Sequence, residues 1–585
     1  MNERWDLTGM YRGFEDPAFE ADLQKFQEIV KDFGAFTGKL GELDPQEALK
    51  TGFSYMESMR ETGEKLMVYA ALRQSADTKD PAAGSNLGRI LAVDSQSAGP
   101  QAAFSHFMAE LPDLDARMEK DPVLREYRFL AREARDNDRY LLGIRGEEIA
   151  SRMRLSGSNA WSDLQAYLTS SVAVDYDGGV TNLSAIRNLA YSADKDVRKA
   201  AYEAELRCYD KIKDPVAYAL NSIKLETISQ CRLRDYESPL DKTLRDSRMS
   251  RATLDAMFSV MDESLPKFWK YLKLKGKALG HENGLPWYDL FAPMGASGKT
   301  YTTEEARDYL LNIFGGFDGE LRDMVQRAFD ESWIDFYPRD GKVGGAFCQE
   351  VTCLGQSRVL TNFDGMFGDI VTLAHELGHA FHNLNLVSQR PLNRDYAMPV
   401  AETASTFNEC VVMNAAIAAA QDPREKLGLI ESQLQDATQI ICDIYSRYRF
   451  ESAVFASREQ EFMPADTLCK IMLQAQKDSY GDGLDPNVLH PYMWVCKSHY
   501  YGGVSFYNFP YAFGGLLARG LYAKYLEEGQ AFVPRYKAFL RATPVATAED
   551  AAKVAGIDLT DRAFWASGLK MITDRIDELE ALLRE

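Results

Sequence analysis

The chain has 585 residues, with 67 lysines and arginines against 87 aspartates and glutamates and a formal net charge of −20. Binding to nucleic acid or to an anionic membrane surface needs a positive footprint, so this charge argues against both kinds of partner. Hydrophobic residues make up 45% of the sequence, which allows large buried cores and argues against a disordered chain.

The first residues and the cysteines bear on the compartment. The sequence begins with charged residues instead of the apolar segment of a secretion signal, and no window is apolar enough to span a bilayer. The eight cysteines are scattered and form no Cys-x-x-Cys pair, so we expect free thiols rather than a disulfide framework. We therefore expect a cytoplasmic protein.

The periodicity of apolar residues predicts a mainly α-helical protein with one small sheet. Helical spacing dominates up to about residue 280, as over 19–33. Between about 281 and 365 the turns come closer together. Four short apolar runs in that stretch are strand candidates: 285–291, 333–337, 345–351 and 358–363. Helices return after them, except over 480–515, where Gly, Tyr and Phe favour a structured loop.

The sharpest motif is His375-Glu376-x-x-His379, in an apolar segment that favours a buried helix. On a helix the two histidines lie one turn apart, so both imidazoles can bind one metal ion. Glu376 points about 100° away from His375 and can act as a general base toward a water at the metal. The alternative is two structural histidines and a surface glutamate. It is disfavoured because burying these groups without partners is costly.

A catalytic zinc needs a third protein ligand besides the two histidines. His382 is a poor candidate because it lies about 10 Å along the helix axis from His375. A metzincin would have glycine at 382 and histidine at 385, where this chain has His382 and Asn385. A di-iron carboxylate site would need a second Glu-x-x-His sequence, which the chain lacks.

The third ligand is predicted in the next apolar helix. Glu402 lies in its first turn, and the loop after the histidines lets the second helix cross the first. A helix N-terminus also favours a plain acidic residue there, but the histidine pair is incomplete without a ligand. Glu409 lies two turns further along the same face, so we expect it to orient a histidine ligand through a hydrogen bond.

The chain resembles the thimet oligopeptidase / oligoendopeptidase F family of zinc metallopeptidases, and most closely the oligoendopeptidase F branch that includes Pz-peptidases. The resemblance covers most of the chain. It rests on segments 5–11, 288–293, 341–346, 372–379, 401–409 and 506–512, together with His499.

The resemblance implies a mainly helical, two-lobed clamshell of the neurolysin-like zincin type. A small sheet would lie beside the HExxH helix, and a deep central channel would admit short unfolded peptides. We expect an N-terminal helical lobe over 1–190 and a catalytic region over 191–585. One Zn²⁺ per chain is implied, bound by His375, His379 and Glu402.

Family roles carry over to further residues. Glu376 matches the catalytic base, His499 the substrate-contacting histidine and Tyr511 the transition-state tyrosine. Tyr507 is a second hydroxyl candidate, since phenol and imidazole groups are suitable donors to an oxyanion. Phe509 stands where many relatives have a tyrosine, which leaves the division of roles between Tyr507 and Tyr511 open.

A substrate-binding edge is predicted at the strand candidate over 345–351. An edge strand near the metal helix could pair with an extended peptide through its backbone. We expect Gly344 and Gly345 to allow close approach of the peptide, and Ala346 to be a third substrate-binding residue.

The sequence therefore predicts a zinc-dependent oligoendopeptidase that acts on short peptides, with neither nucleic acid nor membrane as partner. A homo-oligomer is left open. Two alternatives are kept: a zinc carboxypeptidase or dipeptidyl carboxypeptidase, and a non-catalytic peptide-binding protein with a degenerate zinc site.

Overall fold

The computed structural model describes residues 2–295 and 299–584. Its described part contains 27 α-helices and five short strands, which confirms the mainly α fold class. The helices that precede the central sheet are α1 (Pro17–Thr37), α2 (Pro45–Ala76), α3 (Pro81–Asp94), α4 (Ala98–Glu110), α5 (Leu114–Glu119), α6 (Pro122–Glu126), α7 (Arg128–Asp138), α8 (Gly143–Ser156), α9 (Ser158–Ser171), α10 (Leu183–Asn188), α11 (Lys195–Tyr209), α12 (Lys213–Leu233), α13 (Pro239–Asp246), α14 (Arg251–Ala278), α15 (Thr303–Phe317) and α16 (Gly319–Asp330).

The remaining helices follow the sheet. They are α17 (Phe367–Leu386), α18 (Met398–Ala401), α19 (Thr403–Ala419), α20 (Pro423–Thr438), α21 (Ile444–Arg458), α22 (Ala465–Tyr480), α23 (Met493–Cys496), α24 (Phe509–Glu528), α25 (Val533–Ala542), α26 (Ala548–Val554) and α27 (Arg562–Leu582). A π-helical turn over Gln439–Asp443 joins α20 to α21. None of the helices described is both long and apolar enough to cross a membrane.

Several helices begin with the same Asp-Pro pair. The aspartate accepts hydrogen bonds from the first free backbone N–H groups, and proline at the first helical position has no N–H to leave unpaired. This pair starts α1, α2, α3, α6 and α20. At Asp80-Pro81, for example, the pair marks the start of α3.

The central sheet has the order β3-β5-β4, made of β3 (Ile334–Asp335), β4 (Phe347–Val351) and β5 (Gln356–Leu360). β3 pairs parallel to β5, and β4 pairs antiparallel to β5 with Cys348 opposite Val359. Three of the predicted strands are thus confirmed, two in shorter form and the third shifted toward the N-terminus, since β5 begins at Gln356 instead of residue 358. Among the described residues β4 pairs on one side only and forms an edge of the sheet.

The strands differ from the prediction at two other places. The candidate over 285–291 is wrong: Trp287–Asp289 forms a 3₁₀ turn, and Leu285 makes only an isolated bridge to Leu484. Pro286 has no N–H to give to a ladder, so this segment cannot continue as a strand. A hairpin of β1 (Val174–Tyr176) and β2 (Gly179–Thr181) was not predicted, because three-residue strands carry no clear alternation.

The segment over 480–515 is a structured loop as predicted, but only as far as residue 508. It contains α23 and 3₁₀ turns at Gly481–Gly483 and Ser498–Tyr500, and α24 then begins at Phe509. Pro510 lies in the first turn of α24, where its ring fits the helix without loss of a hydrogen bond.

The buried side chains form three clusters. One holds α1–α7 together with Val351 and Leu360 of the central sheet. A second joins residues 174–223 to 450–501, and the third and most extensive contains α17, α19, α24 and α27. The second cluster contains residues from both sides of position 190, and the division into 1–190 and 191–585 stays a prediction.

Candidate active site

Helix α17 carries the HExxH motif through the most extensive core cluster. Its start is fixed by Asp369, whose Oδ2 accepts hydrogen bonds from the backbone N–H groups of Asp364 and Met366 at 3.0 and 2.9 Å. Apolar residues on several sides of the helix are buried, including Leu373 and Leu377. This burial holds the three polar side chains of the motif in a fixed orientation.

The structure brings His375, His379 and Glu402 together as one candidate metal site. One ligand atom from each lies within 4.8 Å of the others. Glu402 Oε2 is 3.3 Å from His375 Nε2 and 3.4 Å from His379 Nε2. Ligand bonds of about 2 Å in a tetrahedral zinc site place the ligand atoms about 3.3 Å apart, so the three residues fit zinc.

A close helix crossing produces this geometry. Gly378 of α17 faces the start of α19, where a Cβ atom would lie 2.5 Å from Ala404 O and 2.6 Å from Ser405 Cα. Only glycine allows the two backbones to approach this closely. Glu402 sits at the junction of α18 and α19, and Ser405 Oγ donates a 2.8 Å hydrogen bond to its Oε2. The glycine between the motif histidines therefore positions the third ligand.

Glu409 contacts the other ring nitrogen of a candidate ligand. Its Oε1 lies 2.5 Å from His375 Nδ1, as expected from its position two turns after Glu402. Burial lowers the pKa of His375, but hydrogen bonds with Glu402 and Glu409 outweigh it and raise that pKa to about 10. A metal must displace this proton to bind, so zinc affinity is expected to rise with pH.

Replacing Glu409 with glutamine is expected to weaken zinc binding by about 10- to 100-fold, because such partners fix the orientation and basicity of a ligand histidine. Competition with a chromophoric chelator measures the affinity. Glu237→Gln, at an exposed position, is the matched control and is expected to bind zinc like the wild type. An unchanged affinity in Glu409→Gln would remove this role.

Glu376 is buried beside the candidate metal site but outside the ligand set. It is 6% exposed, and its carboxylate makes no hydrogen bond to any residue that the structure describes. Burial raises the pKa of Glu376, and the nearby His375 and His379 offset only part of this. A carboxylate with a raised pKa and free oxygens is suited to accept and return a proton.

Two clefts meet at this carboxylate. One has a volume of about 450 Å³ and extends toward α20, and the other of about 530 Å³ extends along β4. Both are lined by Ala346, His375 and Glu376. A chain running from one cleft to the other would therefore pass the candidate metal site.

His499, Tyr507 and Tyr511 form one aromatic group. His499 stacks on Tyr507 with ring centroids 5.1 Å apart, and Tyr507 meets Tyr511 edge-on at 5.5 Å. The Tyr511 hydroxyl lies 3.5 Å from His499 Nε2. Gly514, one turn after Tyr511 on α24, packs against Glu402, where an added Cβ would lie 3.0 Å from Glu402 Cβ. Helix α24, which carries Tyr511, therefore packs against the third candidate ligand.

Electrostatics favour the neutral forms of His499 and Tyr511. Burial lowers the pKa of His499, and the charges of Arg447 and Lys497 lower it further. Burial, a hydrogen bond with Tyr507 and the charge of Glu402 raise the pKa of Tyr511. The tyrosine therefore keeps its proton and can donate it in a hydrogen bond.

Phe509 and His382 belong to the core. Phe509, between the two candidate tyrosines in sequence, is fully buried. His382 is buried as well; its Nε2 lies 2.9 Å from Thr543 Oγ1, and its ring stacks on Tyr396 at 4.1 Å. His382 therefore packs in the core and is not part of the candidate ligand set.

The segment 344–346 lies just before strand β4. Gly345 has φ +80°, and its carbonyl accepts a 2.8 Å hydrogen bond from Asn362 Nδ2. A Cβ atom on Gly344 would meet no described atom within 4 Å. The strand begins at Phe347 rather than Gly345, because a positive φ cannot continue a ladder.

Sequence reasoning missed one carboxylate in the cleft along β4. Glu350 on β4 has a buried Oε1 without a partner among the described residues, and burial raises its pKa to about 7. The only signal in the sequence was that Glu350 lies on a predicted edge strand, because a single acidic residue in a strand belongs to no motif.

Comparison with known proteins agrees with the motifs. The sequence model of Peptidase family M3 matches residues 318–571, a range that contains α17, α19 and α24. Oligopeptidase PepF of Bacillus subtilis (strain 168) is 25% identical over 599 residues, which cover 99% of this chain and 87% of that protein. The chain is thus similar to a known oligopeptidase along nearly its whole length.

Solved structures share the fold. Oligoendopeptidase-F from Enterococcus faecium superposes with a TM-score of 0.72 at 21% identity, covering 97% of this chain and 99% of that one. A protein described as a candidate peptidase from Chlamydophila abortus gives 0.85 at 21% identity, with 99% and 98% coverage. The resemblance to the thimet oligopeptidase / oligoendopeptidase F family is confirmed, and it supports a metallopeptidase function.

Proposed function

We propose that the chain is a zinc-dependent oligoendopeptidase that hydrolyses internal bonds of short unstructured peptides. The observation that carries this proposal is the convergence of His375, His379 and Glu402 beside the unpaired carboxylate of Glu376. These three residues would hold one Zn²⁺, which supplies Lewis-acid polarisation and lowers the pKa of water. Cytoplasmic location and the absence of nucleic-acid or membrane partners remain predictions from the sequence.

Proton transfer is assigned to Glu376. Its carboxylate removes a proton from the attacking water and then delivers this proton to the leaving amine. We assign His499 and Tyr511 to donate hydrogen bonds to the oxyanion that develops on the scissile carbonyl. Tyr507 stacks on the His499 ring and meets the Tyr511 ring edge-on, so we assign it to positioning.

Tyr511→Phe is expected to lower kcat by about 10²- to 10³-fold with little change in KM, because the lost donor acts mainly in the transition state. Tyr507→Phe keeps the stacked ring and is expected to lose much less. Steady-state kinetics on a quenched fluorescent peptide measure both variants. A larger loss in Tyr507→Phe would reverse the two assignments.

The exposed edge of β4 is proposed to pair with the peptide backbone, with Gly344, Gly345 and Ala346 at the approach. Gly344→Val is expected to raise KM about tenfold with kcat nearly unchanged. The added side chain would crowd the bound peptide, and overpacking typically costs about 1–3 kcal/mol. Gly344 is the better test position, since Gly345 has a positive φ and would be strained by any side chain. An unchanged KM would remove this segment from the substrate site.

The proposal is tested by the masses of the products. A defined set of peptides is incubated with the purified protein, and the fragments are read by mass spectrometry. Fragments from internal cleavage are expected. Removal of one or two residues from the C-terminus would instead indicate a carboxypeptidase or dipeptidyl carboxypeptidase. Intact peptides with bound zinc would indicate a peptide-binding protein.

A further inference from the structure

A third cavity, of about 580 Å³, shares no lining residue with the two clefts. We call it the side cavity and define it by Arg187, Tyr191, Glu205, Asp443 and Lys497. It lies between α10, α11 and the π-helical turn, and nothing in the proposed mechanism uses it.

Two observations place the side cavity next to the path of a bound peptide. Lys497 precedes His499 by two residues, and its charge acts on the His499 ring. Asp436 lines the cleft toward α20, and Gln439, three residues further along the same segment, lines the side cavity. A peptide that leaves the metal centre along that cleft would therefore reach this cavity.

The side cavity contains two cations that lack full partners. Arg187 Nε lies 3.2 Å from Glu205 Oε1, but its two terminal nitrogens make no hydrogen bond to any residue described. The nearest carboxylate oxygen to Lys497 Nζ is on Asp443, at 3.8 Å, and its ammonium likewise has no hydrogen bond in the described structure. Arg198 in the same cavity differs, because Asp289 and two backbone carbonyls accept hydrogen bonds from its guanidinium.

The carboxylates of the side cavity are already engaged. Glu205 Oε1 accepts a 2.8 Å hydrogen bond from the Tyr209 hydroxyl and lies 3.4 Å from His490 Nε2. Asp443 forms an ion pair with Arg447. Arg187 and Lys497 therefore leave a local excess of positive charge in a chain whose net charge is −20. Such a site favours an anion, and the planar fork of arginine favours a carboxylate.

We infer that the side cavity binds a carboxylate of the peptide substrate, in the first place the C-terminal one. This inference rests on the proposed peptidase function. Arg187 would donate two parallel hydrogen bonds, and Lys497 would add a point charge. Because pairing with an edge strand reads little sequence, an anchored chain end would fix which internal bond lies at the metal centre.

The test measures binding without turnover. Full-length Glu376→Gln protein loaded with Zn²⁺ is titrated into three N-terminally labelled peptides of one sequence. One has a free C-terminal carboxylate, one a C-terminal amide, and one an amide after an added glutamate. Fluorescence anisotropy gives the three Kd values. The free acid is expected to bind about 10- to 100-fold more tightly than the amide, as for hydrogen bonds to charged groups.

Variants locate the effect. Arg187→Gln, added to the same protein, is expected to remove most of the acid preference, and Lys497→Gln a part of it. Arg152→Gln, an exposed arginine on α8, is the matched control and is expected to keep the preference. Recovery of affinity by the glutamate peptide would show that a side-chain carboxylate serves as well as the chain end. Equal binding of acid and amide, or a preference that survives both variants, would overturn the inference.

Wild-type turnover of the same peptides separates this inference from the proposed function. Cleavage of acid and amide with equal KM would reject the carboxylate site alone. Acid-selective binding without any cleavage would reject the peptidase alone.

Discussion

Replacing Glu376 with glutamine is expected to abolish peptide hydrolysis while the protein still folds and binds zinc. The substitution keeps the shape of the side chain but removes the group that accepts a proton, a contribution of about 10²- to 10⁴-fold in kcat. Zinc binding should survive, because Glu376 lies outside the ligand set of His375, His379 and Glu402. The variant should be no less stable, because the substitution removes a buried carboxylate without a hydrogen bond among the described residues.

Two measurements on one sample check this result: kcat on a fluorescent peptide and zinc content by atomic emission. Glu409→Gln provides the contrast, since it should lose zinc affinity first and activity only as a consequence. Glu376→Gln protein that retained zinc and more than about a tenth of the wild-type kcat would refute the assignment of the base, given the effect expected for a general base.

Gly378→Ala is expected to disrupt the candidate metal site by forcing two backbones apart. The added methyl group would lie 2.5 Å from Ala404 O and 2.8 Å from Ala404 C, so α17 and α19 would have to separate. His379 and Glu402 are carried by these two elements. Displacement of catalytic groups by about 1 Å can cost about a hundredfold in rate, and overpacking adds about 1–3 kcal/mol of destabilisation.

Thermal unfolding and zinc affinity measure these effects. Gly368→Ala in the first turn of α17 is the matched control, because a Cβ at that position meets no described atom within 4 Å. Alanine there is expected to be neutral or slightly stabilising. A Gly378→Ala protein with wild-type zinc affinity and melting temperature would mean that the helix crossing tolerates a side chain.

The candidate metal site was predictable because its residues lie close in sequence and follow helical geometry. Spacing of four residues put His375 and His379 on one face, and spacing of seven put Glu402 and Glu409 on another. The crossing that joins them could only be expected in outline. Its cause, contact of Gly378 with the backbone of α19, depends on packing that no local pattern encodes.

The parts that sequence reasoning missed depend on distant contacts or on short elements. The side cavity joins Arg187 to Lys497, which are 310 positions apart in the numbering. The unpaired state of these cations is visible only once their neighbours are known. The hairpin over 174–181 is too short for periodicity, and the start of α24 at Phe509 was hidden by an aromatic-rich sequence that also suits a loop.

Internal cleavage is expected to require zinc bound at His375, His379 and Glu402. The most direct measurement follows turnover of one peptide and bound zinc in the same wild-type sample through chelation and stepwise return of Zn²⁺. We expect activity to disappear with the metal and to return in proportion, reaching its maximum at one zinc per chain. Full activity in the metal-free protein, or no return of activity at one bound zinc per chain, would contradict this requirement for zinc.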